Sequence, residues 1–480
     1  MTDASKSQKL DFFDVTNLVI GSIIGADIYI VTALGTGYLG PASLVAWIVG
    51  GAIALIIALV FAECAALIPA VGGPYAYARE AWGNFTGFLV GWGLWIAEVA
   101  ALALMPVAFV RYLTFFIPSL TWIQGALIKV LFIVVITYVN IRGTKFAGRT
   151  NDVLTIGKLT PLLLLIILGL VYLGVNPSQT YSNFIPFAPL GFSGFTPVLI
   201  LAFWAYTGFE LAVIPSHEID DPTITIPKAM IIGMVISTFV YVLINFVVIG
   251  AIHWTTLQFD PAPLASAGRV VLSYTPELAV IGGALLGLGA LLSISGYDES
   301  GTLTTARLSY AISIDGLFPK FFSQIHPKYG TPYKSIIAQS AVALFGSLIG
   351  GISQLIVFAV FNLAFVYLVT SSVVLVLRER RRPEVGQTVI EKMTGPILPI
   401  AGIILSGYLL LISGASTILF GTITILIGVP IYVAYAPRTE METLKRQFYS
   451  TEAVLSRASR MQRVLFGYLL RSIKERKRRE

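Results

Sequence analysis

Charge is what this chain has least of. Only 12% of its 480 residues are Asp, Glu, Lys or Arg, against about 25% in a soluble domain. Cysteine is nearly absent: Cys64 stands alone, so no intramolecular disulfide forms and the redox compartment leaves no trace. Histidine occurs as His217, His253 and His326, all in stretches that read as loops, and His217-Glu218-Ile219-Asp220 is not a zinc motif. The chain has no nucleotide-binding P-loop, no Cys pair and no Ser/His/Asp pattern. These absences argue against a metal site, a cofactor, an enzyme, and ATP-driven transport by this chain alone. A net charge of +7 remains. Its basic residues lie beside apolar runs, as the positive-inside rule requires, so no nucleic-acid partner is implied.

Apolar sequence fills the space that charge leaves. The chain is 56% hydrophobic with a mean hydropathy of +0.83. The runs are long and continuous, where a barrel would need short alternating strands. Windows of about 20 apolar residues predict twelve helical spans, near 12–36, 41–67, 84–113, 119–140, 152–175, 193–215, 228–252, 276–310, 333–350, 353–378, 395–413 and 416–436. Turn punctuation bounds several of them, at Gly40-Pro41, Gly72-Gly73-Pro74, Asn176-Pro177, Thr331-Pro332 and Thr394-Gly395-Pro396. With the N-terminus cytoplasmic, the inner side receives Arg79, Arg142, Lys145, Arg149, Lys320, Lys328, Lys334, Arg378 and Arg380 to Arg382 among others. The outer side receives only Arg111, Lys129 and Arg269. Both termini are therefore expected inside. The short polar start runs into an apolar stretch ending at Gly21 to Asp27, not at a small-residue cleavage site, so no cleavable signal peptide is expected. At the other end, Leu455, Met461, Val464, Leu465, Tyr468 and Leu469 recur at helical spacing among basic residues. The tail 437–480 reads as a basic amphipathic helix on the anionic inner leaflet.

Two spans are interrupted. The first carries Gly21-Ser22-Ile23-Ile24-Gly25-Ala26-Asp27, and the sixth carries Gly208 and Glu210 within Phe203-Trp204-Ala205-Tyr206-Thr207-Gly208-Phe209-Glu210. Single membrane glycines often serve close packing. Two glycine-and-acid interruptions five spans apart point instead to a transporter site on inverted repeats. There, half-helix N-termini face anionic groups and unwound carbonyls hold cations.

The motif Gly21-x-Ile23-Ile24-Gly25-x-x-Ile28-Tyr29 resembles the first-span signature of amino acid permeases of the amino acid–polyamine–organocation superfamily. Phe203-Trp204-Ala205-Tyr206-x-Gly208-Phe209-Glu210 resembles the second signature, and continues into Glu218-x-x-x-Pro222-x-x-x-x-Pro227-x-Ala229. Pro69-x-x-Gly72-Gly73-x-Tyr75 resembles the loop after span 2. Ala306-Arg307-x-x-Tyr310-Ala311-x-x-x-Asp315-Gly316-x-x-Pro319 resembles the end of span 8. The resemblance implies an all-α polytopic protein with a LeuT-type five-plus-five inverted repeat over 12–378, in halves 12–175 and 193–378. A short inner tail 1–11 precedes it, and two added helices over 395–436 and the tail 437–480 follow. It also implies a substrate cradle of Ile24, Gly25, Ala26, Phe203, Ala205 and Tyr206, with Trp204 as the aromatic gate. In such proteins the substrate carboxylate meets N–H groups of the first break and its ammonium meets carbonyls of both.

Asp27 departs from that pattern, which has a small residue at this place. Three readings stand for it: a partner for an amine or cationic side chain, a protonated or proton-carrying group, or a cap on the outer half-helix. Lys158, well inside the fifth span, is the second unusual charge. In proton-coupled permeases that the chain resembles, a lysine in this setting replaces a bound sodium ion and contacts the first-span break and an eighth-span hydroxyl, here Ser293 or Ser295. Snorkelling is the alternative, since about six residues, roughly 9 Å, separate Lys158 from the inner end. Glu63, Glu98, Glu210, Asp298 and Glu299 are further intramembrane acids, with Glu63 and Glu98 expected in structural bonds.

The functional expectation is a multi-pass plasma-membrane transporter taking up an amino acid with protons by alternating access, its partners being the solute, protons and the bilayer. An amine, polyamine or basic amino acid transporter, an amino acid/amine exchanger and a non-transporting sensor are the alternatives. A channel would need a filter motif, and none is present. Substrate identity and oligomeric state have no signature.

Overall fold

Inside a bilayer no water satisfies peptide groups, so each long apolar run closes its own hydrogen bonds as a helix. The computed structural model describes residues 10–68, 72–142, 144–212, 219–385 and 387–437, with side chains except at 144–158, 212 and 381–385. Among the described residues the regular structure is helical, with no strand. The helices are α1 (Phe12–Ile23), α2 (Asp27–Leu39), α3 (Ser43–Leu67), α4 (Pro74–Trp82), α5 (Asn84–Leu113), α6 (Trp122–Arg142), α7 (Thr144–Val175), α8 (Pro177–Asn183), α9 (Phe195–Ala205) and α10 (Phe209–Ala212). They continue as α11 (Pro222–Ala251), α12 (Trp254–Leu257), α13 (Pro263–Val271), α14 (Pro276–Ile314), α15 (Tyr333–Ile349), α16 (Ile352–Val385), α17 (Val389–Thr394), α18 (Ile397–Ile412) and α19 (Ala415–Tyr435).

Among the described residues, seven helices are long and apolar enough to cross a membrane, or eight if α7 and α8, bent by 105° at Asn176, count as one more span. Four shorter apolar stretches, Phe12–Ile23, Phe195–Leu211, Tyr333–Ile349 and Ile397–Ile412, accompany them. The chain is an all-α, multi-pass membrane protein. The tail expected beyond 437 lies outside the described residues.

Local chemistry sets the helix ends. Asp11 and Asp14 exchange backbone N–H bonds of 2.9 and 3.0 Å, a capping box that starts α1. Proline opens α4, α8, α11, α13 and α14, where its missing N–H costs nothing.

The centre is built on close backbone approach. A Cβ on Gly233 of α11 would lie 2.5 Å from Val19 of α1, and one on Gly51 of α3 would lie 2.7 Å from Thr238 of α11. Gly50 of α3 faces the backbone of Phe203 in α9, at 3.4 Å. Small residues at such contacts let membrane helices approach without a hydrophobic drive. Hence α1, α2, α3, α9 and α11 pack around one another. Outward, α6 exposes Ile123, Leu127, Leu131 and Val134, and α19 exposes Leu419, Phe420, Leu426 and Ile427. Apolar side chains in that position face lipid.

Among the described residues, two ionic ties join segments far apart in the chain. Arg79 of α4 and Tyr75 both donate to Asp315 Oδ2 beyond α14, at 2.5 and 2.6 Å. Burial, then the Asp315 carboxylate, pushes the Tyr75 phenol up. Deeper, Arg378 of α16 holds Glu63 of α3 through two 2.6 Å bonds and donates a third, also 2.6 Å, to the Gly395 carbonyl. Neither side chain of that pair is exposed. Arg378, counted above among inner-side charges, is thus a buried partner, and it answers the structural expectation for Glu63.

Candidate solute-binding site

The first interrupted segment opens between α1 and α2. Ile24 leaves the helix at φ −73°, ψ 95°, and α2 restarts at Asp27 after Gly25 and Ala26. Twelve residues of α1 rise about 18 Å, which places the opening well within a hydrocarbon core of about 30 Å. The second interruption separates α9 from α10 at Tyr206, Thr207 and Gly208. Gly208 has φ +109°, a conformation only glycine adopts readily. A Cβ there would fall 2.3 Å from the Ser22 carbonyl oxygen. The two openings therefore touch, backbone to backbone.

The same device closes both. Gly25 N–H donates to Asp27 Oδ1 at 3.0 Å, and Gly208 N–H donates to Glu210 Oε2 at 3.0 Å. In each case an acid two residues beyond the glycine accepts the amide that the broken helix left over. Asp27 is therefore not the N-cap of α2. That place is taken by Ala26, with no side-chain bond to the helix, and the Asp27 carboxylate reaches backward across the opening. Its other oxygen meets the Tyr241 hydroxyl of α11, which also lies 2.7 Å from the Ile23 carbonyl.

The remaining cradle residues divide between backbone and packing roles. Ile24 N–H is spent on the Ile20 carbonyl at 2.8 Å. Ala26, Phe203, Trp204, Ala205 and Tyr206 are all buried. The carbonyls of Phe203 and Trp204 accept N–H groups of Tyr206 and Thr207, each at 3.0 Å. The Tyr206 hydroxyl donates to the Trp47 carbonyl of α3 at 2.9 Å, so this side chain ties α9 to α3. Phe203 packs edge-on against Tyr367 of α16 at 6.2 Å.

Ser293 is buried with its hydroxyl unpartnered among the described residues, whereas Ser295 donates to the Leu291 carbonyl of its own helix at 2.8 Å. Lys158 falls within α7, and its side chain lies outside the described residues.

Other groups gather at the openings that the sequence reading did not assemble. Tyr297 of α14 rests against Gly25, where an added Cβ would meet its ring at 3.0 Å. Its phenol interacts electrostatically with Glu98, Glu210, Asp27 and Asp298. Glu98, the midpoint of α5, interacts with Glu210, and the Tyr367 hydroxyl lies beside Glu210. Glu98 Oε2 and Asp298 Oδ1 are buried without a hydrogen-bond partner among the described residues. Glu98 faces another acid at the site, not the structural bond expected of it. Glu299 is buried one residue along α14. Two signals were available for part of this: the shared Gly-x-acid spacing of Gly25-Ala26-Asp27 and Gly208-Phe209-Glu210, and a phenol, Tyr241, inside an apolar run.

Comparison with known proteins fits this geometry. The family profile described as amino acid permease matches residues 10–436. The chain belongs to the amino acid permease family. Similar curated proteins include three of Bacillus subtilis (strain 168). The methylthioribose transporter is 29% identical over 85% of this chain and 88% of its own length. The branched-chain amino acid permease BcaP is 28% identical over 90% and 94%. The serine/threonine exchanger SteT is 29% identical over 85% and 91%. The protein is accordingly a transporter of this family rather than an enzyme. The three relatives differ in named solute, so likeness to them passes no substrate to this chain.

Proposed function

We propose that this permease is a plasma-membrane secondary transporter that takes up an amino acid together with protons, with both termini cytoplasmic. Its ten-helix core is the inverted repeat spanning 12–378, followed by the two added helices of 395–436. The observation that carries the reading is the contact between the two openings, Gly208 against the Ser22 carbonyl. A solute there touches backbone from both halves at once, and a rocking of one helix group against the other exposes it alternately.

Coupling is assigned to Lys158 with Ser293 as its hydroxyl partner. Pro161 of α7 packs on Gly289 of α14. Three further crossings reverse the chain direction between these helices. Lys158, three residues before Pro161, and Ser293, four residues after Gly289, then share a level. Ser293 is the hydroxyl with an unused bond there. Coupling needs only that the two access states differ in protonation.

Uptake into proteoliposomes, scored for a panel of amino acids and amines under imposed proton or sodium gradients, tests this. A proton gradient is expected to drive accumulation of an amino acid, and Lys158→Ala to abolish it while leaving exchange across equal pH measurable. Sodium dependence, or full proton-driven uptake by Lys158→Ala, would remove the coupling assignment.

A further inference from the structure

Tyr241 has one hydrogen and two acceptors. Its hydroxyl lies within bonding distance of both the Ile23 carbonyl and Asp27 Oδ2. A phenol donates once, so one of those contacts needs its proton from elsewhere. When Asp27 is ionised, Tyr241 donates to the carboxylate, and the Gly25 amide adds a second, charge-assisted bond. When Asp27 is protonated at Oδ2, it donates to the Tyr241 oxygen and Tyr241 donates to Ile23. The bond from Gly25 N–H then has only a neutral acceptor.

Under the transport reading, the Gly25 amide is among the N–H groups of the first opening that a substrate carboxylate would meet. A substrate carboxylate and an ionised Asp27 cannot share it, because they are like charges contending for one donor in a site of low dielectric. The close fit around Gly25 sharpens the conflict: a Cβ added there would lie 2.9 Å from Asp27 Oδ1 and 3.0 Å from the Tyr297 ring.

We propose that Asp27 is an internal substitute for the substrate carboxylate, holding the Gly25 amide while ionised and yielding it when protonated, so that substrate and proton bind together. This rests on the transport reading above and narrows it to substrates that carry a carboxylate. Among the described residues the groups facing Asp27 include four phenols: Tyr29 on its own helix, Tyr206 at the second opening, Tyr241 on α11 and Tyr297 on α14. Lys158, to which coupling is assigned above, is the cation that the transport reading adds to them. Glu98, Glu210 and Asp298 stand around Tyr297. None of the four phenols changes charge in the range where the test is made, near neutrality.

The sign follows from linkage. If binding takes up one proton, affinity falls as pH rises, about tenfold per unit while Asp27 is ionised in the unliganded protein. Asn at this position is neutral at every pH and reproduces the protonated state. Ala removes the competitor.

The test is calorimetric titration of the full chain in nanodiscs between pH 5 and 8. The probes are L-alanine, L-serine, L-leucine and L-lysine, each beside the amine that lacks its carboxylate, in buffers of differing ionisation enthalpy so that protons are counted. The wild type is expected to bind an amino acid with one proton taken up and that tenfold slope, and the paired amines without it. Asp27→Asn and Asp27→Ala are each expected to bind the amino acid at pH 8 as tightly as the wild type does at pH 5. A wild-type affinity independent of pH, a slope retained in both variants, or failure of both variants to bind any amino acid would overturn the proposal. Flux measured on the same proteins in proteoliposomes separates the two readings. Binding with the slope but without flux sinks transport alone, and flux without the slope sinks the Asp27 assignment alone.

Discussion

Each buried acid of this protein acts according to the partner it finds. Glu63 has a guanidinium on two oxygens and is a tie between α3 and α16. Asp27 and Glu210 have glycine amides and hold open helices. Glu98 has another acid as its neighbour. The consequence for Glu63 is sharp, because removing one partner of a buried pair leaves the other charge uncompensated, at about 3–5 kcal/mol. Glu63→Gln is expected to lower stability by that amount in nanodisc unfolding, and the double change Glu63→Leu with Arg378→Met to restore most of it. A Glu63→Gln protein within about 1 kcal/mol of wild type would mean that the pair behaves as if exposed. At this scale the sequence was least legible. It shows that Glu63 and Glu98 are intramembrane carboxyls, but partners such as Arg378, Tyr241 and Tyr297 come from helices hundreds of residues away. Nothing in a span that is apolar all round says which face turns inward.

The helix openings are elements whose cause can be read locally. Gly25 and Gly208 stand in apolar runs beside acids, and both openings occur where those glycines are. What could not be read is the contact between them, or that Asp27 reaches back to Gly25 in place of capping α2. Both depend on how α1 and α9 are brought together by α3 and α11. Gly208 is the more exacting position. A side chain at φ +109° is strained by about 1–2 kcal/mol, and its Cβ would press on the Ser22 carbonyl. Gly208→Ala is therefore expected to remove flux nearly completely while the protein still assembles in the membrane, since the loss falls on the meeting of the two openings. Near-normal flux in a well-folded Gly208→Ala protein would show that this contact is dispensable.

For the whole molecule, composition and the length of the apolar runs indicated a multi-pass helical membrane protein, because runs too long and continuous for barrel strands satisfy their backbone in lipid as helices. The apolar outer faces of α6 and α19 and the buried polar centre agree with it. The central claim is that the meeting point of the two opened helices is where solute binds. Hydrogen-exchange mass spectrometry on the full chain in nanodiscs, with and without the amino acid that the liposomes accumulate, tests this most directly. Solute is expected to slow exchange at residues 22–28 and 203–210 together. Protection of neither segment, with slowing confined to other helices, would contradict it.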